Sequence, residues 1–278
     1  MRSFQFCKHI FVTICILAAY TGWGCLLALQ PPFYPLVAEQ KGATSSQYGF
    51  VFGILNLTAF IFAPIFGTYG SKIGSRTLFY VGSFSQGFIG LVFGLLQFVN
   101  STWTFIVLSY VLRFLNGVAD AAVWGASLAI LLKLFPDKVT TLMSYTEMCM
   151  GLGYILGPPI GSFLFELGGF ILPFETMGLI CLFAAFGVYM SIPPDTNPDP
   201  KTYQKRKKSI SLSDIIRNPT IFVPFVDNFL NYASQGMIEA MLEPFMRSTL
   251  GTVQRDVSTA FLISGAVYLP FAPIAGWV

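Results

Sequence analysis

The sequence predicts an all-α membrane protein in which a six-helix bundle is followed by the first two helices of a second bundle. Hydrophobic residues make up 54% of the 278 residues and charged residues only 10%, and the mean hydropathy is +0.67. A soluble domain carries much less apolar surface. The apolar residues form long runs without the alternation of a membrane β-barrel. A short motif, Ala63-Pro-Ile-Phe-Gly67, returns as Ala272-Pro-Ile-Ala-Gly276, which indicates two parallel repeats, the second incomplete.

Eight apolar runs are long enough to cross a bilayer, since a spanning helix needs about 20 residues. We place them at about 9–30, 47–70, 76–99, 102–134, 138–166, 170–191, 220–247 and 256–278. The first run follows Arg2 and Lys8, but it is too long for the apolar region of a signal peptide and lacks a cleavage site. We therefore predict a six-helix bundle at 1–191, a linker at 192–218 and a partial second bundle at 219–278.

The basic residues predict the orientation of these spans. Twelve of them fall on one side: Arg2, Lys8, Lys72, Arg76, Lys133, Lys138, Lys201, Lys205, Arg206, Lys207, Lys208 and Arg217. Only three fall on the other side, namely Lys41, Arg247 and Arg255. Because cytoplasmic loops carry the excess of Lys and Arg, we expect the basic side and the amino terminus to be cytoplasmic.

The linker combines two unusual compositions. Its first part, residues 193–200, contains four prolines and cannot be helical. Its second part carries the basic run Lys205-Arg-Lys-Lys208. This run is either a topology signal or a site that binds anionic lipid of the cytoplasmic leaflet.

Two glycine-rich stretches predict close contacts between helices. The turn from Gly67 to Arg76 also contains Gly74 and Lys72; its glycines allow helix ends to approach, and its basic side chains mark the membrane surface. In the fifth span, the spacing i, i+4, i+8 gives a stripe of small residues for a neighbouring helix. Its members are Gly153, Gly157 and Gly161, and Pro158, followed by a second proline, removes backbone hydrogen bonds beside it.

These stretches resemble motifs of one known family. The turn from Gly67 to Arg76 is similar to the signature loop between helices 2 and 3 of the major facilitator superfamily, with serine in place of the usual aspartate. Arg113-Phe-Leu-Asn-Gly117 and the segment 153–162 resemble two motifs of proton-linked drug antiporters. The segments around Tyr34-Pro35 and Ala38-Glu-Gln-Lys-Gly42 resemble the vesicular amine transporter family, nearest to its polyamine-transporter-like branch. The resemblance implies the superfamily fold with twelve helices, so that the chain looks truncated after helix 8.

Charged residues inside the spans are the candidate functional residues, because a charge in the bilayer is costly. Arg113 lies in the fourth span, and Asp120 lies two turns further on nearly the same face. Either Arg113 binds Asp120 or backbone carbonyls as a structural contact, or the two belong to a proton-coupling site. Glu147 in the fifth span either faces the central cavity as a proton or cation site or lies in the cytoplasmic interface.

Two acids in the seventh span complete the predicted site. Glu239 and Glu243 are four residues apart, so both can point from one helical face into the same cavity. A pair of acids in a cavity suits the exchange of protons for cations. The resemblance favours Glu243, which precedes a proline, whereas the spacing to the helix end favours Glu239.

The sequence predicts a transporter rather than an enzyme. It has one histidine, five cysteines without metal-type spacing, and no nucleophile–base grouping or phosphate-binding loop, so we expect no metal and no cofactor. Its net charge of +3 lies in loops, which argues against nucleic acid as a partner. The resemblance implies proton-coupled antiport of organic cations, such as amines or polyamines, in an intracellular vesicle membrane. The alternative is a truncated form that binds or regulates a full-length relative.

Overall fold

The computed structural model describes residues 2–135, 137–192 and 217–268. The described residues form nine α-helices and one 3₁₀ turn, Leu95–Phe98, and contain no β-strand. The helices are α1 (Arg2–Ala28), α2 (Tyr34–Gln40), α3 (Ser45–Ile73), α4 (Ser75–Gly94), α5 (Thr102–Leu134), α6 (Val139–Gly168), α7 (Ile171–Ser191), α8 (Pro219–Leu250) and α9 (Gln254–Tyr268). Most of the linker and the second copy of the repeated motif lie outside the described residues.

Six of the described helices, α1 and α3 to α7, are long and apolar enough to cross a membrane. The predicted all-α membrane fold and its six-helix bundle are therefore confirmed. The seventh and eighth predicted spans are not among these six. Helix α8 has 32 residues but contains Asp227, Glu239 and Glu243, and the described part of α9 has only 15 residues.

Helix ends follow local signals in the sequence. The fourth predicted span matches α5, which begins after Ser101, whose side chain accepts a hydrogen bond from Thr104 N. The second predicted span stops too early, because α3 continues to Ile73. Gly74 alone separates α3 from α4, with φ of 93°. A side chain rarely adopts that backbone conformation, so this turn requires glycine.

The helices of the bundle form a continuous series of packed neighbours, in the order α3, α5, α4, α7, α1 and α6. Helix α1 packs against α6 and α7, α4 packs against α5 and α7, and α3 packs against α5. The two later helices lie on this bundle separately, since α8 packs on α3 and α9 packs on α6. The cavity described below lies where α8 faces the bundle.

Helix α2 marks one end of the bundle, which we call the α2 end. Lys41 Nζ, just after α2, donates to Gln97 O at 3.1 Å and to Val99 O at 2.6 Å. Thr102 Oγ1 donates to Lys41 O at 2.5 Å. These bonds place the connection after α1 and the connection between α4 and α5 at the same end. The chain direction places Arg76, Lys133 and Lys138 at the opposite end, as the orientation prediction requires; which end faces the cytoplasm stays a prediction.

Candidate functional site

A small cavity of about 10 Å³, enough for about one water molecule, lies between the six-helix bundle and α8. It is lined by side chains from α1, α3, α5, α6 and α8, namely Leu27, Phe52, Leu55, Asn56, Arg113, Tyr154 and Glu239. Two of the predicted site residues, Arg113 and Glu239, therefore line one cavity although they are distant in sequence. The lining combines one cation, one acid and aromatic rings.

Arg113 is fixed from several sides. Its side chain is only 3% exposed, and its guanidinium donates to Gln30 Oε1 at the end of α1. The guanidinium carbon lies 5.9 Å from the ring centre of Phe52 and 5.6 Å from that of Phe93, within the range of cation–π attraction. Glu239 lies within electrostatic range across the cavity. Arg113 therefore meets α8 from a rigid position in the bundle.

Asp120 does not bind Arg113, contrary to one of the two sequence interpretations. Asp120 Oδ1 accepts a hydrogen bond from Gln86 Nε2 of α4 at 3.2 Å. Seven residues of α-helix separate the two side chains by about 10 Å along the axis, and Gln30 lies nearer to Arg113. Asp120 thus belongs to a second polar layer, nearer the opposite end of the bundle.

Glu147 belongs to the same second layer. It is half-buried and lies within electrostatic range of Asp120 and of Tyr20. Glu147 is not among the residues that line the cavity, and both interpretations of Glu147 stay predictions. Tyr154 lies between the layers, within electrostatic range of Arg113, Glu239 and Asp120.

The prediction that Glu239 and Glu243 face one cavity is wrong. Glu239 lines the cavity with Arg113 and accepts from Gln235 Nε2 at 3.0 Å. Glu243 Oε1 instead accepts from Arg247 Nε at 2.7 Å, and Glu243 is not among the residues that line the cavity. The arginine one turn further along α8 pairs with Glu243 and holds it outside the cavity.

The turn between α3 and α4 is only partly as predicted. A methyl group added at Gly67 would meet nothing within 4 Å, whereas one added at Gly125 of α5 would lie 3.8 Å from Gly67 N. The predicted role of Gly67 in helix approach stays a prediction. Gly74 is required by its positive φ, as described above. Arg76 donates to Tyr189 O at 3.2 Å and stacks over the Tyr189 ring at 4.6 Å, which ties the turn to the end of α7. The side chain of Lys72 lies outside the described part.

The glycine stripe of α6 lies directly against α1. A methyl group added at Gly153 would lie 2.7 Å from Cys25 N, and one added at Gly157 would lie 2.8 Å from Cys25 O. One added at Gly161 would lie 2.5 Å from Leu29 O. The close helix approach that the sequence predicts for this stripe is therefore present. Pro158, within the stripe, places its carbonyl oxygen 3.2 Å from Ser258 Oγ of α9.

The sequence did not single out Tyr154, Gln86 or Glu39 as site residues. Their spacing carries no signal, because each becomes relevant only through a contact with another helix. A weak signal existed for Glu39, which lies in the segment Ala38-Glu-Gln-Lys-Gly42 that resembles the amine transporters. Gln30 carries no sequence signal either, because it becomes relevant only through its contact with Arg113 of α5.

Comparison with known proteins agrees with this architecture. A family model described as Major Facilitator Superfamily matches residues 12–278. The MFS-type transporter SLC18B1 of Homo sapiens is 30% identical over 270 residues, which are 97% of this chain and 57% of the human protein. Multidrug resistance protein 2 of Bacillus subtilis is 23% identical over 272 residues, which are 94% of this chain and 64% of that protein. The chain thus spans about three fifths of the length of these relatives.

A solved structure shares the fold. The crystal structure of a bacterial homolog to the human lysosomal transporter Spinster, in an inward-facing and unoccupied conformation, covers 100% of this chain with a TM-score of 0.68. The match uses 61% of that chain, and the sequences are 13% identical. At this identity the likeness concerns the fold alone.

Proposed function

Because the chain belongs to the major facilitator superfamily, whose members are transporters rather than enzymes, we propose that it serves proton-coupled antiport of small organic cations by alternating access. The observation that carries this proposal is the cavity between the bundle and α8, in which Glu239 faces Arg113. Aromatic side chains of Phe52 and Tyr154 line the same cavity, and rings of this kind attract organic cations. Amines are the substrate class, polyamines included.

Glu239 supplies the exchange chemistry in this proposal. A carboxylate can hold a proton or pair with an ammonium group, but one negative charge cannot do both at full strength. Binding of the substrate cation and of the proton is therefore mutually exclusive, which is the elementary requirement of antiport. Arg113 is held by Gln30, so its charge stays in place while the occupant of Glu239 changes.

The second polar layer extends the proposed path. Asp120 and Glu147 are two acids within electrostatic range of each other, and Gln86 donates to the first of them. They offer a further position for protons or cations between the cavity and the opposite end. Acids inside a membrane bundle are costly, and they commonly mark ion pathways.

The glycine motifs take structural roles in the same proposal. Gly153, Gly157, Pro158 and Gly161 keep α6 on α1, and Gly74 with Arg76 keeps the α3–α4 turn on α7. The proposed location is an intracellular vesicle membrane with the amino terminus in the cytoplasm, supported by the excess of Lys and Arg at the end opposite α2. An acidic vesicle interior would then supply the protons.

Uptake into proteoliposomes tests the proposal. The 278-residue chain is reconstituted in vesicles with an acidic interior, and uptake of labelled spermidine and of labelled serotonin is measured. We expect uptake that disappears when the gradient is collapsed, and a loss of roughly tenfold or more in Glu239→Gln because the exchanging carboxylate is gone. The matched control is Asp227→Asn, on the same helix but exposed and outside the cavity. Unchanged gradient-driven uptake in Glu239→Gln would contradict the assignment of Glu239.

A second candidate function is association with a longer relative or with a second copy of this chain. It is favoured by apolar side chains of α8 that the described residues leave uncovered, namely Met237, Met241 and Phe245, which are 59% to 61% exposed. Two results together would support this candidate over transport by the chain itself. The inserted and folded protein would show no gradient-driven uptake, and it would co-purify with a co-expressed longer relative.

A further inference from the structure

A network of charged side chains joins α8 to α2 at the α2 end. Arg247 of α8 donates to Glu39 Oε2 of α2 at 2.5 Å and, through Nε, to Glu243 Oε1 of its own helix at 2.7 Å. Tyr48 Oη of α3 donates to the other oxygen of Glu39 at 3.0 Å. One guanidinium thus holds two carboxylates, and the network joins α8 to the neighbouring helices α2 and α3, which are distant from it in sequence.

Glu39, which accepts the hydrogen bond from Arg247, lies in a segment that is attached to the bundle by several contacts. Glu39 lies two residues before Lys41, whose ammonium group binds the carbonyls of Gln97 and Val99. Helix α2 also buries Tyr34, Val37 and other residues against the bundle. Glu39 therefore presents its carboxylate from a segment that moves with the bundle, whereas Arg247 moves with α8.

If Arg247 left Glu243, the carboxylate of Glu243 would be buried without a compensating cation. The side chain of Glu243 is only 2% exposed, and its second oxygen has no hydrogen-bond partner among the described residues. Arg247 is the cation that compensates it. Because an uncompensated buried carboxylate is costly, Arg247 keeps its place beside Glu243, and Glu39 is the group that it can release.

The network is nevertheless able to open. The side chains of Arg247 and Glu39 are 36% and 33% exposed, so water and ions can solvate both groups when they separate. A partly exposed ion pair contributes modestly to stability and weakens with salt. A contact of this strength suits a reversible closure better than a permanent one.

A second polar contact closes the same end. Ser258 of α9 lies within hydrogen-bond distance of Ser162 of α6 and 3.2 Å from Pro158 O. Towards the opposite end, α8 meets α3 through rings, with Phe60 and Phe229 at a centroid distance of 6.4 Å. Polar contacts that can be exchanged for water therefore lie at the α2 end of both later helices.

We propose that Glu39 and Arg247 form an ionic latch that ties α8 to the bundle and holds the α2 end closed. The latch is released when Arg247 leaves Glu39 while still paired with Glu243. It gives the segment Ala38-Glu-Gln-Lys-Gly42 a physical role, with Glu39 as the latch acceptor and Lys41 as its anchor. The latch does not touch the cavity and does not depend on which substrate is carried.

Hydrogen–deuterium exchange of the 278-residue chain in nanodiscs tests the latch. Peptides that cover 34–48 and 244–253 report the two sides of the closure. We expect Glu39→Gln to raise exchange in both regions by about fivefold, the effect of removing one partly exposed ion pair. Arg247→Gln should raise exchange in both regions further, because it also leaves Glu243 without its cation.

The matched control is Arg255→Gln, which removes an arginine at the same end that has no described ion pair. It should leave exchange at 34–48 unchanged. Unchanged exchange at 34–48 in folded Arg247→Gln, or an equal rise in Arg255→Gln, would overturn the latch. Because the measurement uses neither substrate nor proton gradient, its failure and the failure of the proposed transport are distinguishable.

Discussion

The seam between α1 and α6 and the interface between α3 and α8 are built in opposite ways. At the seam, a methyl group added at Gly24 would lie 3.1 Å from Gly153 Cα, so the two backbones touch. At the α3–α8 interface, contacts run through side chains such as Phe60 and Phe229, and the interface encloses a cavity. Backbone contact leaves no room for adjustment, whereas rings and ion pairs can slide, separate and re-form.

The contrast separates a part of the molecule held by close backbone packing from a part held by side-chain contacts. Helices in a bilayer gain little from the hydrophobic effect and associate through close packing and polar contacts. Close packing holds the six-helix bundle together as one body. Polar and aromatic contacts attach α8 to it, at the place where the proposed alternating access would require a joint that opens.

The largest effect is expected from filling the seam. Gly153→Ala should destabilise the chain by about 2 kcal/mol or more, because its new methyl group meets backbone atoms of Cys25 and Gly24 at 2.7 Å. Gly53→Ala is the matched control, since a methyl group there meets nothing within 4 Å and should be neutral or slightly stabilising. Thermal unfolding followed by size-exclusion chromatography measures both. If the two variants unfolded at the same temperature, backbone packing at the α1–α6 seam would not be tighter than elsewhere in the bundle.

A smaller loss of stability is expected when Arg113, the bundle residue that faces α8, is replaced. Arg113→Gln should destabilise the chain by about 2 kcal/mol or less, because a buried hydrogen bond from a charged group to Gln30 is lost. Gln30→Leu should cost a similar amount, and the double variant should cost less than the sum. Chemical unfolding of the purified variants gives the three values. Strict additivity would mean that the Arg113–Gln30 contact does not stabilise the bundle.

The smallest effect is expected at the polar contact of α9. Ser258→Ala should cost about 0.6 kcal/mol, the average for hydrogen bonds between membrane helices, since it loses the contact with Ser162. Thr259→Ala is the control, because the Thr259 hydroxyl donates to Arg255 O of its own helix. If Ser258→Ala lowered the free energy of unfolding by more than about 2 kcal/mol, the contact would resemble the close packing of the α1–α6 seam rather than the weaker contacts of α8.

Features within one helix could be predicted from the sequence. The apolar runs identified the six helices of the bundle, because the bilayer sets the length of a span. The spacing of Gly153, Gly157 and Gly161 predicted a close seam, since a helix repeats its faces every three to four residues. Arg113 and Glu239 were predicted as site residues because charge inside a span is rare.

Pairings between helices could not be predicted. The helical period gives the face of a side chain but not the helix opposite it. Glu239 and Glu243 share a face, yet Arg247 pairs with one and leaves the other to the cavity. Asp120 shares a face with Arg113, yet each meets a different glutamine. These pairings depend on contacts between residues more than thirty positions apart, or on a competing residue one turn away. The spacing of residues in the sequence does not show which of the possible partners a side chain will bind.

The bonds of Lys41 also set an order of events during synthesis of the chain. Its carbonyl partners, Gln97 and Val99, follow it by 56 and 58 residues, and Thr102 follows by 61. At a translation rate of roughly 5–20 residues per second, these partners leave the ribosome about 3–12 s after Lys41. Helix α2 therefore waits for the start of the fourth span before it reaches its final position. The segment that carries Glu39 is made before the connection that anchors it, so its final position depends on a later part of the chain.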